Sequence, residues 1–299
     1  MSGQSAERIE RPTEMNEHNV RWMFHSTAMV MDYDLACSSL GRLCGLATLE
    51  YSELLHPNLA RRGGMTWIGD NSLEVDEPIV KGSPAERFVT KTGGGMHSVA
   101  LQVTDIDATI SHLERLGIEV TRPADNFCFS DPRQTGRVLF EWCDAAGPHD
   151  PRFGFPMPER TGDALVDVRR QAFVGAVVDN PSRVAAQIAR VVGTEVLFED
   201  PGADTAHPVA GISLGDNILA LYRLPQQQSI ALWGVDLSQP RTHVLGLEVS
   251  SLEDAAAALA EGGFRVLWAD GGSIVVDPVS TGGIGIVLVD RLLPGDPRG

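Results

Sequence analysis

Positive charge is scarce in this chain: 24 Lys and Arg stand against 40 Asp and Glu, a formal net charge of −16 over 299 residues. A nucleic-acid partner needs a basic surface to meet its phosphates, so that class is excluded. Long apolar runs are missing too. None approaches the roughly 20 residues that cross a bilayer, and no membrane partner is expected. Cysteine is sparse, with four residues (Cys37, Cys44, Cys128, Cys143) and no CxxC pair. Small buried hydrophobes in a reducing compartment are the natural reading. The N-terminus shows no basic stretch followed by an apolar run, so no secretory signal is read there and a cytoplasmic location is expected. The acidic balance still permits an anionic ligand, because a local pair such as Arg61-Arg62 can act inside a pocket; the same pair also reads as a solvated loop. What is present, 43% hydrophobic and 21% charged residues, describes a globular chain long enough for two domains with their own cores.

The chain repeats itself. Asp131-Pro132-Arg133-Gln134-Thr135-Gly136 leads into the strand-like Arg137 to Cys143, and 146 residues later Asp277-Pro278-Val279-Ser280-Thr281-Gly282 leads into Ile284 to Val289. The same offset relates Gly69-Asp70-Asn71 to Gly215-Asp216-Asn217, His97 to His243 and Gly117 to Gly263. A register kept this long marks a tandem duplication. The copies differ in polarity, since Glu141 in the first strand corresponds to Val287 in the second.

A finer period lies inside each copy. Strand patterns start near residues 25, 98, 172 and 244, giving four units of roughly 73 residues. Each is an alternating strand, then a helix opened by a capping residue and stopped by glycine, then further strands. Asp32 or Asp34 opens the first helix and Gly45 ends it; Asp105 or Asp107 opens the next and Gly117 stops it; Ser251 with Asp254 approximates a capping box. Gly63-Gly64 reads as part of a hairpin-like region before a strand at Met65–Ile68, and Pro78 to Gly95 as a loop. Residues 1–20 read as a loose arm, 21–145 and 171–292 as the two domains, and 146–170 as a linker rich in Pro, Gly and charge.

Four βαβββ units paired into two domains resemble the vicinal oxygen chelate superfamily, which includes glyoxalase I, methylmalonyl-CoA epimerase, extradiol dioxygenases and bleomycin-resistance proteins. His25-Ser26-Thr27-Ala28-Met29-Val30-Met31-Asp32, Gly69 to Pro78, Gly93 to Val103 and Gly136 to Trp142 carry the resemblance, and the first domain is most similar to the epimerase. It implies an α+β fold in which two modules curl into a cup holding one divalent metal. The corresponding ligand positions are His25, Glu74, Ser98 and Glu141. Their counterparts in the second copy, matched as Ala172, Ala220, Val244 and Val287, are all apolar. The metal site is therefore expected in the first domain only. The third ligand of the family is usually His, whereas Ser98 stands here and His97 is one residue away, on the opposite strand face unless the strand adjusts. The expected metal ligands are His25, Glu74 and Glu141, with His97, Ser98 or water completing the set. One imidazole and two carboxylates suit Zn, Mn, Co, Ni or Fe(II).

This resemblance implies a metal-dependent isomerase, epimerase or lyase acting through an enolate on a small carbonyl compound or acyl-CoA, with Glu141 as the base. Two-base epimerisation needs a second acid, for which only Glu50, Glu53 or His56 lie nearby in sequence. Two alternatives stand beside it. One is a resistance-type binding protein whose cup, lined by Trp67, Phe88, Phe127, Phe129 or Trp142, sequesters a small molecule without turnover. The other is an extradiol-type ring-cleavage dioxygenase, whose iron ligands the resemblance would put in the second domain. A monomer or a homodimer is expected, the fused pair of domains mimicking the dimer of shorter members.

Overall fold

The computed structural model describes residues 20–51, 61–69, 71–147, 150–156, 162, 164–204, 206–225 and 229–299. The expected arm up to residue 19, Asp70, and the stretch holding Glu53, His56 and Asn58 to Ala60 lie outside these. Each half forms one eight-stranded mixed sheet. The first comprises β1 (Val20–Met29), β2 (Thr48–Tyr51), β3 (Arg61–Ile68), β4 (Asn71–Pro78), β5 (Gly95–Val103), β6 (Val120–Ala124), β7 (Phe127–Ser130) and β8 (Leu139–Cys143). Helices α1 (Tyr33–Cys44), α2 (Pro84–Thr92) and α3 (Ile106–Arg115) accompany it. The strands lie in the order β2-β3-β4-β1-β5-β8-β7-β6. β1 is parallel to β4, β5 is parallel to β8, and β1 and β5 meet antiparallel at the centre. Two βαβββ modules are thus joined edge to edge, as the sequence period predicts.

The second half repeats the order with β9 (Val168–Val178), β10 (Val196–Glu199), β11 (Ala210–Ser213), β12 (Ile218–Arg223), β13 (Arg241–Val249), β14 (Val266–Ala269), β15 (Ser273–Val276) and β16 (Ile286–Val289). Its helices are α4 (Pro181–Val192), α5 (Ser229–Trp233) and α6 (Leu252–Glu261).

Capping chemistry sets the helix ends. The Asp32 carboxylate accepts from the Leu35 amide at the start of α1, and Gly45 closes it in a left-handed conformation. Asp105 and Ser251 cap α3 and α6 in the same way. Two expectations needed correction. The segment read as a loop before Gly95 contains α2, opened by Ser83 accepting from the Glu86 amide with Pro84 in the first turn. Gly63 and Gly64 are not a turn but lie inside β3, paired with Asp76 and Val75. A Cβ on Gly64 would lie 2.5 Å from the Tyr33 hydroxyl, so a side chain there has no room.

The helices cover one face of each sheet, and the core beneath them is continuous across the halves. It includes Ala36, Leu40 and Leu43 of α1, Ile106 and Leu113 of α3, and Val184, Ala185 and Ile188 of α4. The halves also cross over one another. α1 packs on the Asp-Pro turn of the second half, where a Cβ at Gly282 would lie 2.5 Å from Ala36 Cα, and α4 packs on the first-half turn, with Val184 against Gly136. The hairpin turn of each half presses on the first strand of the other: a Cβ at Gly69 would lie 2.6 Å from the Arg169 carbonyl, and one at Gly215 2.9 Å from that of Arg21. Asp216 then accepts from the Met23 amide at 2.8 Å. The segment expected as a linker is docked here as well. Arg152 donates to the Met23 and Phe24 carbonyls at 2.9 and 2.8 Å and pairs with Asp216 at 3.3 Å. All four cysteines are free thiols.

Candidate functional site

The face of each sheet turned away from the core forms a cup. In the first half its central rows follow from strand register. Thr27 of β1 lies between Glu74 of β4 and Ser98 of β5. His25 faces Ala100, which in turn faces Glu141 of β8. A β-bulge at Phe24, between the Met23 and His25 pairings, turns Phe24 toward the cup as well. There it packs with Ala100, Phe127 and Cys143. Trp142, counted at the sequence level among possible lining residues, instead points into the core.

His25, Glu74, Ser98 and Glu141 are all buried. His25 Nε2 lies 3.4 Å from Glu74 Oε2, which also accepts from the Thr27 hydroxyl at 3.1 Å. Neither ring nitrogen of His25 makes a hydrogen bond of standard geometry among the described residues. Two further members lie outside the expected ligand set: Asp76, which sequence reasoning missed, and Arg61, which it read only as a pair with Arg62 that could act in a pocket or lie in a solvated loop. Arg61 reaches in from β3 and pairs with Glu74 at 3.3 Å and with the fully buried Asp76 at 2.8 Å. The signal was available: once Arg61 to Ile68 is one strand, alternation from Met65 puts Arg61 on its face.

Burial and charge oppose each other in this cup. Burial works against a charged imidazole at His25, but Glu74 at contact distance, and then Glu141, outweigh it and raise the pKa above its ordinary value. Burial pushes the Glu141 carboxyl up, with His25 pulling it down and Glu74 adding to the rise. Glu141 has no hydrogen-bond partner among the described residues. Among those residues, no three His, Cys, Asp or Glu side chains are already drawn together as a metal cluster.

His97 occupies a second bulge. Pairing passes from Thr27–Ser98 to Ala28–Met96, leaving His97 as the extra residue of β5. Its Nδ1 is 3.2 Å from Ser98 Oγ, and its ring stands edge-on to Phe88 with centroids 4.8 Å apart. Burial, then Arg61 and Arg241, lower its pKa to about 4, with Glu74 opposing.

In the second half the same register holds apolar groups. Gly246 faces Phe173 and Val287 as Ala100 faces His25 and Glu141, so the structural counterpart of His25 is Phe173 and not Ala172. Phe173, Ala172, Ala220, Val244 and Val287 belong to one apolar cluster with Tyr222 and Trp233. His243, again an extra residue in a bulge, is wedged between the rings of Tyr222 and Trp233 at 5.2 and 4.7 Å.

No family model and no curated protein matches this chain. Solved structures do. A mutant of 4-hydroxymandelate synthase from Streptomyces coelicolor superposes on 93% of this chain and 95% of its own, with a TM-score of 0.65 and 14% identity. The Mn(II)-bound glyoxalase from Novosphingobium aromaticivorans covers 94% of this chain and 86% of its own, with a TM-score of 0.60 and 13% identity. Methylmalonyl-CoA epimerase from Mycobacterium tuberculosis matches over 43% of this chain and 90% of its own, with 22% identity and a TM-score of 0.39. The two whole-chain matches show a shared fold of two paired, glyoxalase-like βαβββ domains.

Proposed function

We propose that the first cup is a divalent-metal site for enolate chemistry, making the protein an isomerase or lyase for a small carbonyl compound or acyl-CoA. The observation that carries this reading is the contrast at equal register. His25, Glu74 and Glu141 occupy positions that Phe173, Ala220 and Val287 fill in the other cup. Buried polar groups are costly unless something compensates them. The donor set suits an ion: His25 has two buried nitrogens without a hydrogen bond of standard geometry, and the buried Glu141 carboxyl lies within electrostatic reach of His25 and Glu74. The 3.4 Å between His25 and Glu74 is about the spacing of two donors that share one tetrahedral ion at roughly 2.1 Å each.

His25, Glu74 and Glu141 would hold Zn, Mn, Co, Ni or Fe(II), with Ser98 and His97 nearest the remaining position. A bound ion would polarise a substrate carbonyl and stabilise the enolate. The rest falls to the chain. Glu141, raised by burial, is suited to take a proton from the carbon beside that carbonyl. Arg61 holds Glu74 and Asp76 in place. Glu50 is turned outward to Arg62 at 2.9 Å and so is not placed as a second base.

One observation favours the binding-protein alternative: Arg61 already places a cation against Glu74 and Asp76. The test is metal content of protein purified without chelator, for the wild type, His25→Ala and Glu141→Ala, alongside solvent-proton exchange into carbonyl and acyl-CoA compounds. Near-stoichiometric metal lost in folded variants supports the enzyme. No metal in any of them, and no thermal stabilisation by added ions, leaves the binding protein.

A further inference from the structure

A cavity of about 350 Å³ opens beside the first cup, where the two halves meet. Lys91, Arg137 and Arg241 line it, with Phe88, His97 and Asp236. None of the three cations makes an ion pair with a carboxylate among the described residues. Arg241 donates to the Gly94 and Thr242 carbonyls and lies 5.2 Å over the Phe88 ring. Burial lowers its pKa to about 10, with only Asp236 pulling the other way. That acid is itself engaged by the Ser238 amide and hydroxyl. Lys91 and Arg137 are exposed and Arg241 is half-buried, and Asp236 is the acidic residue of the lining, so this cavity has a net positive wall in a chain of net charge −16 and would draw an anion.

The duplication shows that these cations are additions. Arg137 adopts φ 72°, the left-handed region, and among the described residues it is the non-glycine residue that does so. The repeat puts Gly283 at its position in the second half, with φ 101°. The turn therefore accommodates glycine, and an arginine there is held in a conformation that L side chains rarely adopt. Arg241 likewise stands where the first half has Gly95, and a Cβ on Gly95 would lie 3.0 Å from the Arg241 guanidinium. The cavity beside the second-half turn is lined by Gly282 and Gly283, and its charged lining residues are Asp32 and Asp236. Two of the three cations, Arg137 and Arg241, thus stand where the other half has glycine.

We propose that the cavity of Lys91, Arg137 and Arg241 binds the anionic end, carboxylate or phosphate, of a small molecule. Its other end points toward the cup, since His97 lines the cavity and its Nδ1 lies 3.2 Å from Ser98 Oγ. Only that orientation rests on the enzymatic reading above. The volume suits a small ligand or one arm of a larger one. Arginine forks match either oxyanion, and Phe88 offers an apolar wall.

The test is calorimetric titration of the whole protein with succinate and, separately, with inorganic pyrophosphate. The variant is Arg137→Gly, whose backbone the second half already adopts, and Arg190→Gln on the outer face of α4 controls for net charge. Saturable binding of either probe, weakened about tenfold by Arg137→Gly and unchanged by Arg190→Gln, is expected. The probe that binds identifies the anion class. No saturable binding of either, or equal weakening by both variants, overturns the proposal. Glu141→Ala is expected to retain probe binding, so loss of metal and loss of anion binding are separate results.

Discussion

The two cups share backbone, register and even a bulged histidine, yet one is built of charge and the other of hydrocarbon. In the first, Glu74, Asp76 and Glu141 are buried around Arg61 and His25. In the second, Phe173, Tyr222 and Val287 take the same positions beside Trp233, and these three line a cavity of about 570 Å³. The sheet does not dictate what its concave face contains. The second cup shows that the same sheet forms with apolar groups at these positions, so the fold does not require the polar residues of the first.

Exchanging residues between the cups tests this. The largest effect is expected from Val287→Glu, which puts a carboxylate among Phe173, Ala220 and Tyr222 with Arg291 and His207 only across the cavity: about 3–5 kcal/mol of lost stability in urea unfolding. Arg61→Met comes next. It leaves Glu74 and Asp76 buried without their cation and should cost about 3–5 kcal/mol by the same measurement. Glu141→Val, which makes the first cup resemble the second, should leave stability unchanged or raise it by about 1 kcal/mol while abolishing metal binding and turnover. A loss of stability there would mean that the carboxyl is structural.

The smallest effect near neutrality concerns pH. Burial, then Arg241, depress His243 from its ordinary 6.5 to about 3. Between those values the unfolded chain binds a proton that the folded chain refuses, so stability is complete above about pH 6.5 and falls as pH drops toward 3. His243→Phe should flatten this part of the acid limb of a stability–pH curve. An unchanged acid limb would show that His243 is not kept neutral.

Much of the fold was legible because local chemistry and long-range order agree. Asp32, Asp105 and Ser251 cap the helices they precede, and the 146-residue register foretells two matching sheets. Misreadings arose where tertiary contacts decide. Gly63-Gly64 has the composition of a turn, but the Tyr33 hydroxyl lies where a side chain would go, so the pair serves a crowded strand. That shortened β3 and left Arg61 outside the expected strand. The 146-residue offset that relates the later segments becomes 148 at the first strand (173 − 25), where His25 corresponds to Phe173; hence Ala172 was matched to His25 in its place. For α2 the signal was present, in Ser83, Pro84 and Glu86, but outweighed by the glycines that follow.

The reciprocal clasp at Gly69 and Gly215 also bears on biosynthesis. The Met23 amide waits for Asp216, made 193 residues later, and the first-half hairpin finds its seat only when Arg169 and Arg170 have emerged. While the ribosome is still extending the chain, the first half has its own sheet but only part of the core beneath it, since α4 arrives with the second half. A nascent first half should therefore hold its native form loosely and lock late, leaving it dependent on chaperones until the second half is released.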